Sequence, residues 1–316
     1  MRSGRSSHPQ GVRARQLLAA ALLLALEITC ASAQSLEPRA YSPNPTGANF
    51  AIANYGYQTG PIVFDAALPF SDVNAKINAG TLVYVRTFGL FGRSASAGLA
   101  VPYVWGSVEG QVLEEQRRIT RSGFGDLQSR LTVNLLGGPA LTPKEFATRP
   151  PLTALGFTLV TVAPTGQYYP DKLINIGGNR WAFKTELGLS QPMGKWAFEA
   201  YAAGWFFTTN NDFFGGVTRS QAPIAAFQGH VSYTFAPRLW LAASATYYTG
   251  GQATVNGTRN ADLQKNARIS LTASVPIARR QSLKFFWAKG ATTSLGANFN
   301  TYSLSYQFLW FDRASP

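Results

Sequence analysis

The amino-acid sequence predicts an all-β fold, a closed antiparallel up-and-down transmembrane β-barrel of about twelve strands. Apolar and polar residues alternate along many segments, each segment runs about 10 to 14 residues, and short connections alternate with long ones. Strand side chains point alternately to opposite faces, so each segment is apolar on one side and polar on the other. Soluble strands usually have about 5 to 6 residues, whereas a tilted strand that crosses a bilayer needs about 9 to 11.

The first 33 residues predict a removable signal peptide. Four arginines lie among the first fifteen residues, an apolar run extends from Leu17 to Leu26, and Ala31-Ser32-Ala33 gives a small-residue cleavage pattern. Residues 34–316 are then the barrel, beginning at Gln34. One alternative is a retained membrane anchor, which Glu27 opposes by interrupting a longer apolar run. Another is lipidation of Cys30, which the three preceding residues do not suit.

Composition excludes several classes of function. Residues 34–316 contain no cysteine and one histidine, His230, so a metal site of several histidines or cysteines is excluded and no cofactor is predicted. The formal net charge is +13, but lysine and arginine are scattered singly and form no single patch for nucleic acid. The predicted partners are outer-membrane lipid and lipopolysaccharide, the barrel-insertion machinery and a small-molecule solute.

The alternation recurs along the chain. Around Ile269 and Leu271, for example, Arg268 and Ser270 occupy the opposite face. Aromatic residues collect near segment ends, as in the interfacial girdles of membrane barrels; they are Trp105, Trp181, Trp196, Trp205, Tyr247, Tyr248, Trp310 and Phe311. The predicted strands lie near residues 48–58, 77–89, 94–107, 124–136, 152–163, 180–190, 195–209, 222–235, 238–250, 267–276, 281–289 and 299–310.

The connections orient the barrel. Tight links run from Gly89 to Arg93, from Gln191 to Gly194, through Ala236-Pro237 and from Ile277 to Arg280. The links 59–76, 108–123, 164–179, 210–221 and 251–266 are long, and the link 137–151 is an exception to the alternation. If both termini are periplasmic, the long links face the cell exterior, as in barrels of the bacterial outer membrane.

The polar faces contain ionisable residues, which would be costly on the lipid side and are therefore expected inside the barrel. The lumen-lining candidates are Arg86, Asp126, Arg130, Lys184, Glu186, Glu199, His230, Arg268 and Lys284. Two interpretations stay open: opposite charges that brace the wall, or a field that selects a solute. The basic excess predicts a mild preference for anions. No catalytic residue is predicted; a serine hydrolase would have to use His230, with Ser232 as its neighbour on the same strand face.

Several stretches resemble a family of bacterial outer-membrane proteins labelled for the MetA-pathway of phenol degradation. They are Glu37-Pro38-Arg39-Ala40-Tyr41-Ser42 with Pro45 and Gly47, Leu99 to Tyr103, Gly123-Phe124-Gly125-Asp126, Asn134-Leu135-Leu136-Gly137 with Pro139-Ala140-Leu141, Pro164-Thr165-Gly166-Gln167-Tyr168 and Gly178-Asn179-Arg180-Trp181. The resemblance covers nearly all of residues 34–316. It implies a barrel linked to the uptake of aromatic compounds and assigns no functional residues. The chain departs from the usual aromatic end of barrel proteins, because Asp312 to Pro316 follow Phe311.

The sequence therefore predicts an outer-membrane channel or facilitator for small organic solutes, aromatic compounds among them. The alternative is a non-transporting envelope protein that acts through its extracellular loops. An outer-membrane hydrolase that depends on His230 is a third hypothesis.

Overall fold

The computed structural model describes residues 37–63, 70–112, 115–172 and 174–312, so the predicted signal peptide and Gln34 lie outside the described residues. It contains one described helix, α1 (Pro143–Thr148). Its strands are β1 (Ala48–Val63), β2 (Phe70–Leu90), β3 (Arg93–Val112), β4 (Glu115–Phe124), β5 (Leu127–Leu136), β6 (Ala154–Ala163), β7 (Ala182–Met193), β8 (Trp196–Phe207), β9 (Asn210–Phe213), β10 (Val217–Gln221), β11 (Ile224–Ala236), β12 (Leu239–Gly250), β13 (Ala253–Val255), β14 (Thr258–Arg259), β15 (Gln264–Ala278), β16 (Gln281–Thr292), β17 (Gly296–Ala297) and β18 (Asn300–Phe311).

Twelve strand positions form one closed antiparallel barrel. Going around it, β1 is followed by β2, β3, β5, β6, β7, β8, β11, β12, β15, β16 and β18. β4 and β5 share one position, since both pair with β3 and only Gly125 and Asp126 separate them. β1 pairs with β2 on one side and with β18 on the other, which closes the sheet. The predicted up-and-down barrel of twelve strands is confirmed.

The two faces of the barrel wall differ as the alternation predicts. On β7 the side chains of Lys184, Glu186 and Ser190 are buried inside, whereas Leu187 and Leu189 are exposed on the outside. The same pattern recurs on β11, β12 and β15. An apolar outer surface of this kind is stable only against lipid, because water would not solvate it. The barrel therefore spans a membrane, and closed barrels of this type belong to the bacterial outer membrane.

The two ends of the barrel carry different connections. At one end, two-residue turns join four pairs of neighbouring strands, and Phe91 and Gly92 in the first of these turns both have positive φ, 47° and 73°. This turn geometry matches the twist of antiparallel strands. We call this end periplasmic and the opposite end, with its long links, extracellular. Exposed aromatic side chains mark both ends: Tyr84, Trp196, Phe235 and Phe311 near the periplasmic end, and Tyr103, Trp105, Phe124, Trp181, Phe206 and Tyr247 near the extracellular end.

On one side of the barrel, the strands extend beyond the exposed aromatic residues of the extracellular end. β2 has 21 residues and β3 has 20, whereas β6 has 10. The sequence predicts shorter strands here. The strands are predicted from polar inward and apolar outward residues in alternation, and this alternation stops because the inward residues of the extension are apolar. That inner face packs against loop residues Ile174 and Ile176 and against Phe299. We call this the extracellular apolar cluster, and its buried members are Ile62, Val73, Ala75, Ile77, Val104, Val108, Ile174, Ile176 and Phe299.

Three of the predicted links contain short elements of secondary structure. β9, β10, β13 and β14 form a separate four-stranded sheet at the extracellular end, in the links 210–221 and 251–266. The periplasmic link 137–151 contains α1, which begins with Pro143 and a capping box between Thr142 and Glu145. These elements have two to six residues, too few to show a period. Among the described residues, no helix is long and apolar enough to cross a membrane.

Candidate functional site

The candidate site is the barrel interior, and its wall changes character along the barrel axis. In the extracellular half, inward side chains of β6, β7, β8, β11 and β12 form a second apolar cluster. We call it the lumenal apolar cluster: Val162, Ala182, Trp205, Ile224, Ala226 and Tyr248. Further toward the periplasm the inward side chains become polar, among them Gln228, His230, Ser244 and Ser270, all buried. The lumen therefore has an apolar, aromatic zone on the extracellular side and a polar, charged zone on the periplasmic side.

Most of the predicted lumen residues do lie on the inner face. Lys184 and Glu186 are neighbours on this face of β7, and Lys184 Nζ lies 2.6 Å from Glu186 Oε2 with both side chains almost fully buried. Gln228 donates a hydrogen bond to the same carboxylate oxygen at 3.2 Å. The other inward charged residues are Arg130, Glu199, Arg268 and Lys284. Opposite charges thus pair along the inner face of one strand, and a buried pair of this kind is favourable only when its remaining oxygens are hydrogen-bonded.

Asp126 is a buried residue between β4 and β5, and its carboxylate accepts hydrogen bonds from a loop. Its Oδ1 accepts a hydrogen bond from the Gly166 amide and its Oδ2 from the Gly178 amide, each at 2.8 Å. A Cβ at Gly166 would lie 2.8 Å from the Asp126 backbone nitrogen, so only glycine fits there. These contacts explain two glycine-containing motifs that flank the link 164–179. Asp126 therefore positions the loop that supplies Ile174 and Ile176.

The prediction that Arg86 lines the lumen is wrong. Arg86 shares its face of β2 with the exposed Leu82 and Tyr84, so its side chain points outward. At the periplasmic rim its guanidinium lies 2.8 Å from the carboxylate of Asp312, and Asp312 also accepts a hydrogen bond from Asn49. An outward arginine is tolerated here because the rim reaches water and a carboxylate lies beside it. Four of the five predicted basic lumen residues remain inside.

Residues 37–47, which we call the N-terminal segment, enter the lumen from the periplasmic end. The segment is fixed at the rim by backbone hydrogen bonds from Thr46 to Leu141 and from Gly47 to Thr87. From there it runs inward to Glu37, which pairs with Arg130 on β5. Arg39 reaches the other side, where it donates to Ser232 Oγ at 3.0 Å and stacks over the Trp240 ring at 4.8 Å. The segment therefore crosses the lumen from β5 to β11 and β12.

Tyr41 occupies a slot in the middle of the barrel. Its side chain is 1% exposed, and its ring meets the Tyr201 ring edge-on at a centroid distance of 4.9 Å. Its hydroxyl donates a hydrogen bond to Glu186 Oε1 at 3.0 Å. The wall behind the ring is formed by Gly156 and Gly188, which are register partners on β6 and β7. A Cβ at Gly156 would lie 2.3 Å from the Tyr41 ring, and one at Gly188 would lie 1.9 Å from it.

Glu37 and Arg39 place charged groups beside this ring. The Arg39 backbone amide donates to Glu199 Oε2 at 2.7 Å, so the second predicted wall carboxylate is also bound to the segment. The guanidinium of Arg130, helped by the ammonium groups of Lys184 and Lys284, lowers the pKa of the Glu37 carboxyl from its ordinary 4.5 to about 2. Glu37 is therefore ionised at neutral pH and held mainly by Arg130.

His230 is buried next to the segment. Its Nδ1 lies 2.8 Å from Ser244 Oγ, and its ring is 4.5 Å from the Tyr201 ring. Ser232, the neighbour that the sequence indicates, instead accepts a hydrogen bond from Arg39. A nucleophilic serine needs a histidine base that is itself oriented by a third group. His230 Nε2 has no hydrogen-bond partner among the described residues, so this third contact is missing in the part of the chain that the structure describes. Those residues also contain no group of three or more His, Cys, Asp or Glu that could hold a metal ion.

Comparison with protein families gives one match over most of the chain. The family model described as "Putative MetA-pathway of phenol degradation" matches residues 43–308. The chain belongs to this family. The matched part of this MetA-pathway family protein begins just after Tyr41, so Glu37, Arg39 and Tyr41 precede it. A comparison with curated proteins finds no match.

Solved structures support the fold of this MetA-pathway family protein. An outer membrane channel from Pseudomonas putida F1 has a TM-score of 0.74 at 22% identity, and the match covers 87% of this chain and 100% of that one. The beta domain of the Bordetella autotransporter BrkA has a TM-score of 0.50 at 11% identity, with coverage of 84% and 100%. At these identities the likeness concerns the barrel fold alone.

The sequence contains no local signal for the role of the N-terminal segment. The stretch Glu37-Pro38-Arg39-Ala40-Tyr41-Ser42 carries part of the family resemblance, but its contacts are with residues far along the chain, such as Ser232. The paired glycines, Gly156 and Gly188, lie on adjacent predicted strands and are the one sequence feature that could have indicated a close approach to the wall.

Proposed function

We propose that this protein is an outer-membrane channel or facilitator for small organic solutes, including aromatic compounds, whose lumen is occupied by the N-terminal segment at rest. The observation that carries the proposal is the slot around Tyr41. A tyrosine side chain is a phenol on a short tether, and the slot provides an aromatic edge contact, a carboxylate acceptor and a flat wall of two glycines. Edge-to-face aromatic contacts of this kind contribute about 0.5–1.5 kcal/mol beyond the buried area.

The path toward the slot also suits an aromatic solute. The lumenal apolar cluster lies on the extracellular side of it, with Trp205 stacked on Phe207 at a centroid distance of 6.4 Å. Binding sites for small molecules are usually apolar and aromatic, with a few polar groups that fix orientation. A solute that enters from outside would meet this zone first and the polar wall second. Displacement of Tyr41 would then open the lower half of the lumen.

Single-channel recording in planar bilayers tests the proposal. The Tyr41→Ala variant should conduct several-fold more than the unmodified protein, and 4-methylphenol, the free tyrosine side chain, should reduce that current by refilling the slot. Tyr247→Ala is the matched control, because Tyr247 faces outward and is 44% exposed. The proposal fails if the two variants conduct alike, or if 4-methylphenol affects both to the same extent. His230→Ala should conduct like the unmodified protein in the same assay.

The second candidate function is a non-transporting envelope protein, and the ordered four-stranded extracellular sheet favours it. Arg219 in β10 pairs by register with Val255 in β13, so two separate links are joined into one surface. Deletion of the hairpin 253–259 should then abolish the cellular phenotype of the protein and leave its conductance unchanged. Under the channel proposal, the same deletion should leave the phenotype intact.

A further inference from the structure

Three cations of the wall act on the Glu37 carboxylate. Arg130 on β5 donates a hydrogen bond to Glu37 Oε2, and Lys184 on β7 and Lys284 on β16 are both close enough to stabilise its charge. These side chains come from three separate strands of the barrel, and their positive charges act on one group of the N-terminal segment. Such convergence of donors is how proteins bind a carboxylate, and arginine is the best single donor for it.

Among the described residues, Glu37 is the main carboxylate that acts on Arg130 and on Lys284. The carboxylates that act on Arg130 are Glu37 and Glu186, and the one that acts on Lys284 is Glu37. Glu186 is already engaged, because it accepts from Lys184 at 2.6 Å, from Gln228 at 3.2 Å and from the Tyr41 hydroxyl at 3.0 Å. If Glu37 left, Arg130 and Lys284 would share a partly desolvated space with little negative charge. An anion would be drawn into the vacated position.

The Glu37 carboxylate can be displaced from Arg130 without disturbing the strands of the barrel. It belongs to the N-terminal segment and to no strand, and the Glu37 and Arg130 side chains are 52% and 30% exposed. By contrast, Lys184 and Glu186 are fixed on the wall and only 7% and 2% exposed. The Glu37–Arg130 pair is therefore open to solutes in the lumen, whereas the Lys184–Glu186 pair is not.

We infer that Arg130 and Lys284, supported by the positive charge of Lys184, form a carboxylate-binding site in the lumen, that Glu37 is its tethered occupant, and that an aromatic carboxylate is the solute class that displaces it. The inference rests on the proposed function, which it deepens. The carboxylate site adjoins the aromatic slot, since Arg130 interacts electrostatically with both Glu186 and Tyr41. A solute that joins a ring to a carboxylate could therefore replace both Tyr41 and Glu37.

The test compares sodium benzoate with benzyl alcohol, a neutral aromatic of similar size. Binding to the refolded full chain in detergent is measured by calorimetry, so the readout does not depend on transport. Glu37→Gln should bind benzoate at least about tenfold more tightly than the unmodified protein, a difference of about 1.4 kcal/mol, because the tethered competitor is neutral. Benzyl alcohol should show no such gain. Adding Arg130→Gln, or Lys284→Met in a second protein, to Glu37→Gln should abolish the gain.

Glu109→Gln is the matched control, since it removes the same charge from an arginine pair outside the lumen, with Arg118 Nε 3.2 Å from Glu109 Oε1. This control should bind benzoate like the unmodified protein. Equal benzoate affinity in Glu37→Gln and the unmodified protein, or an equal gain for benzyl alcohol, would overturn the inference. If benzoate binds as expected but Tyr41→Ala does not conduct, the carboxylate site stands and the channel proposal fails. If Tyr41→Ala conducts as expected but Glu37→Gln binds benzoate no more tightly than the unmodified protein, the channel proposal stands and the carboxylate site is wrong.

Discussion

The two ends of the lumen are filled by different kinds of contact. At the extracellular end, Ile174, Ile176 and Phe299 pack against the apolar inner face of β1 to β3. At the periplasmic end, the N-terminal segment is held by one buried ring, an ion pair and a few hydrogen bonds. Burial of one large apolar side chain contributes about 1.5–3 kcal/mol, whereas a single hydrogen bond contributes about 0.5–1.5 kcal/mol.

This difference indicates which end of the lumen should lose its contacts first when salt or acid is added. Apolar contacts do not respond to pH and are strengthened by many salts, whereas an exposed ion pair weakens as salt or protons compete for it. The extracellular apolar cluster should therefore stay in place under conditions that release the N-terminal segment. The predictions that follow test this contrast, beginning with the largest expected effect.

A methyl group at Gly188 should release the segment. The Cβ of Gly188→Ala would lie 1.9 Å from the Tyr41 ring, and the rigid strand leaves no room for both. Loss of a buried aromatic ring costs about 3–5 kcal/mol in well-packed cores, which is enough to undock the segment. We expect single-channel conductance to rise several-fold, as for Tyr41→Ala. Gly229→Ala is the control, because a Cβ there meets no atom within 4 Å. Equal conductance of the two variants would show that the ring does not obstruct the lumen.

Acid should weaken the docking of the segment. Because the pKa of Glu37 is lowered to about 2, its ion pair contributes fully above the ordinary value of 4.5 and is lost as the pH falls toward 2. We expect constant conductance between pH 7 and pH 5 and a rise as the pH falls below about 4.5. Glu37→Gln should lack this rise, and because it retains Glu186 and Glu199, the difference between the two proteins reports on Glu37. A rise already complete at pH 6 would contradict the assignment.

The sequence predicts the wall of this barrel well and its contents poorly. Alternation is a local property, so twelve strands and most inward residues, such as Lys184 and Arg268, can be found from it. The prediction for Arg86 fails because a charged side chain at the rim can reach water from either face of the wall. The extension of β2 and β3 is underestimated because its inner residues, such as Val73 and Val108, pack against a loop and are not polar.

The contents of the lumen depend on contacts that no local pattern encodes. Arg39 meets Glu199 across 160 positions of sequence, and Tyr41 meets Glu186 across 145. The segment that makes these contacts precedes the first strand and has no period of its own. Its importance follows only from closure of the barrel, which brings β5, β7, β8 and β11 around it.

Cysteine labelling should separate the two faces of the wall and report the state of the segment. Cysteine at Ile269 or Leu304, which are 45% and 42% exposed on the outer face, should face lipid and resist a membrane-impermeant thiol reagent. Cysteine at Ser303 should be labelled from the lumen. Cysteine at Ser270, which is 2% exposed, should be labelled slowly and then faster in the Tyr41→Ala background. Labelling of Ile269→Cys at the rate of Ser303→Cys would mean that the register is wrong.

The smallest effect is expected at the periplasmic rim, where Arg86, which the sequence analysis wrongly places in the lumen, pairs with Asp312 on the outside. Their side chains are 56% and 42% exposed, and exposed ion pairs contribute little to stability. Arg86→Gln should therefore leave the free energy of unfolding, measured in urea with refolded protein, close to that of the unmodified protein. Its reversal potential in a salt gradient should equal that of the unmodified protein, because the residue does not face the conducting path. Arg130→Gln should shift the reversal potential toward cations, since it removes positive charge from the lumen. A shift in Arg86→Gln as large as that in Arg130→Gln would show that ions are selected at the rim, and that the charged half of the lumen braces the wall without steering solutes.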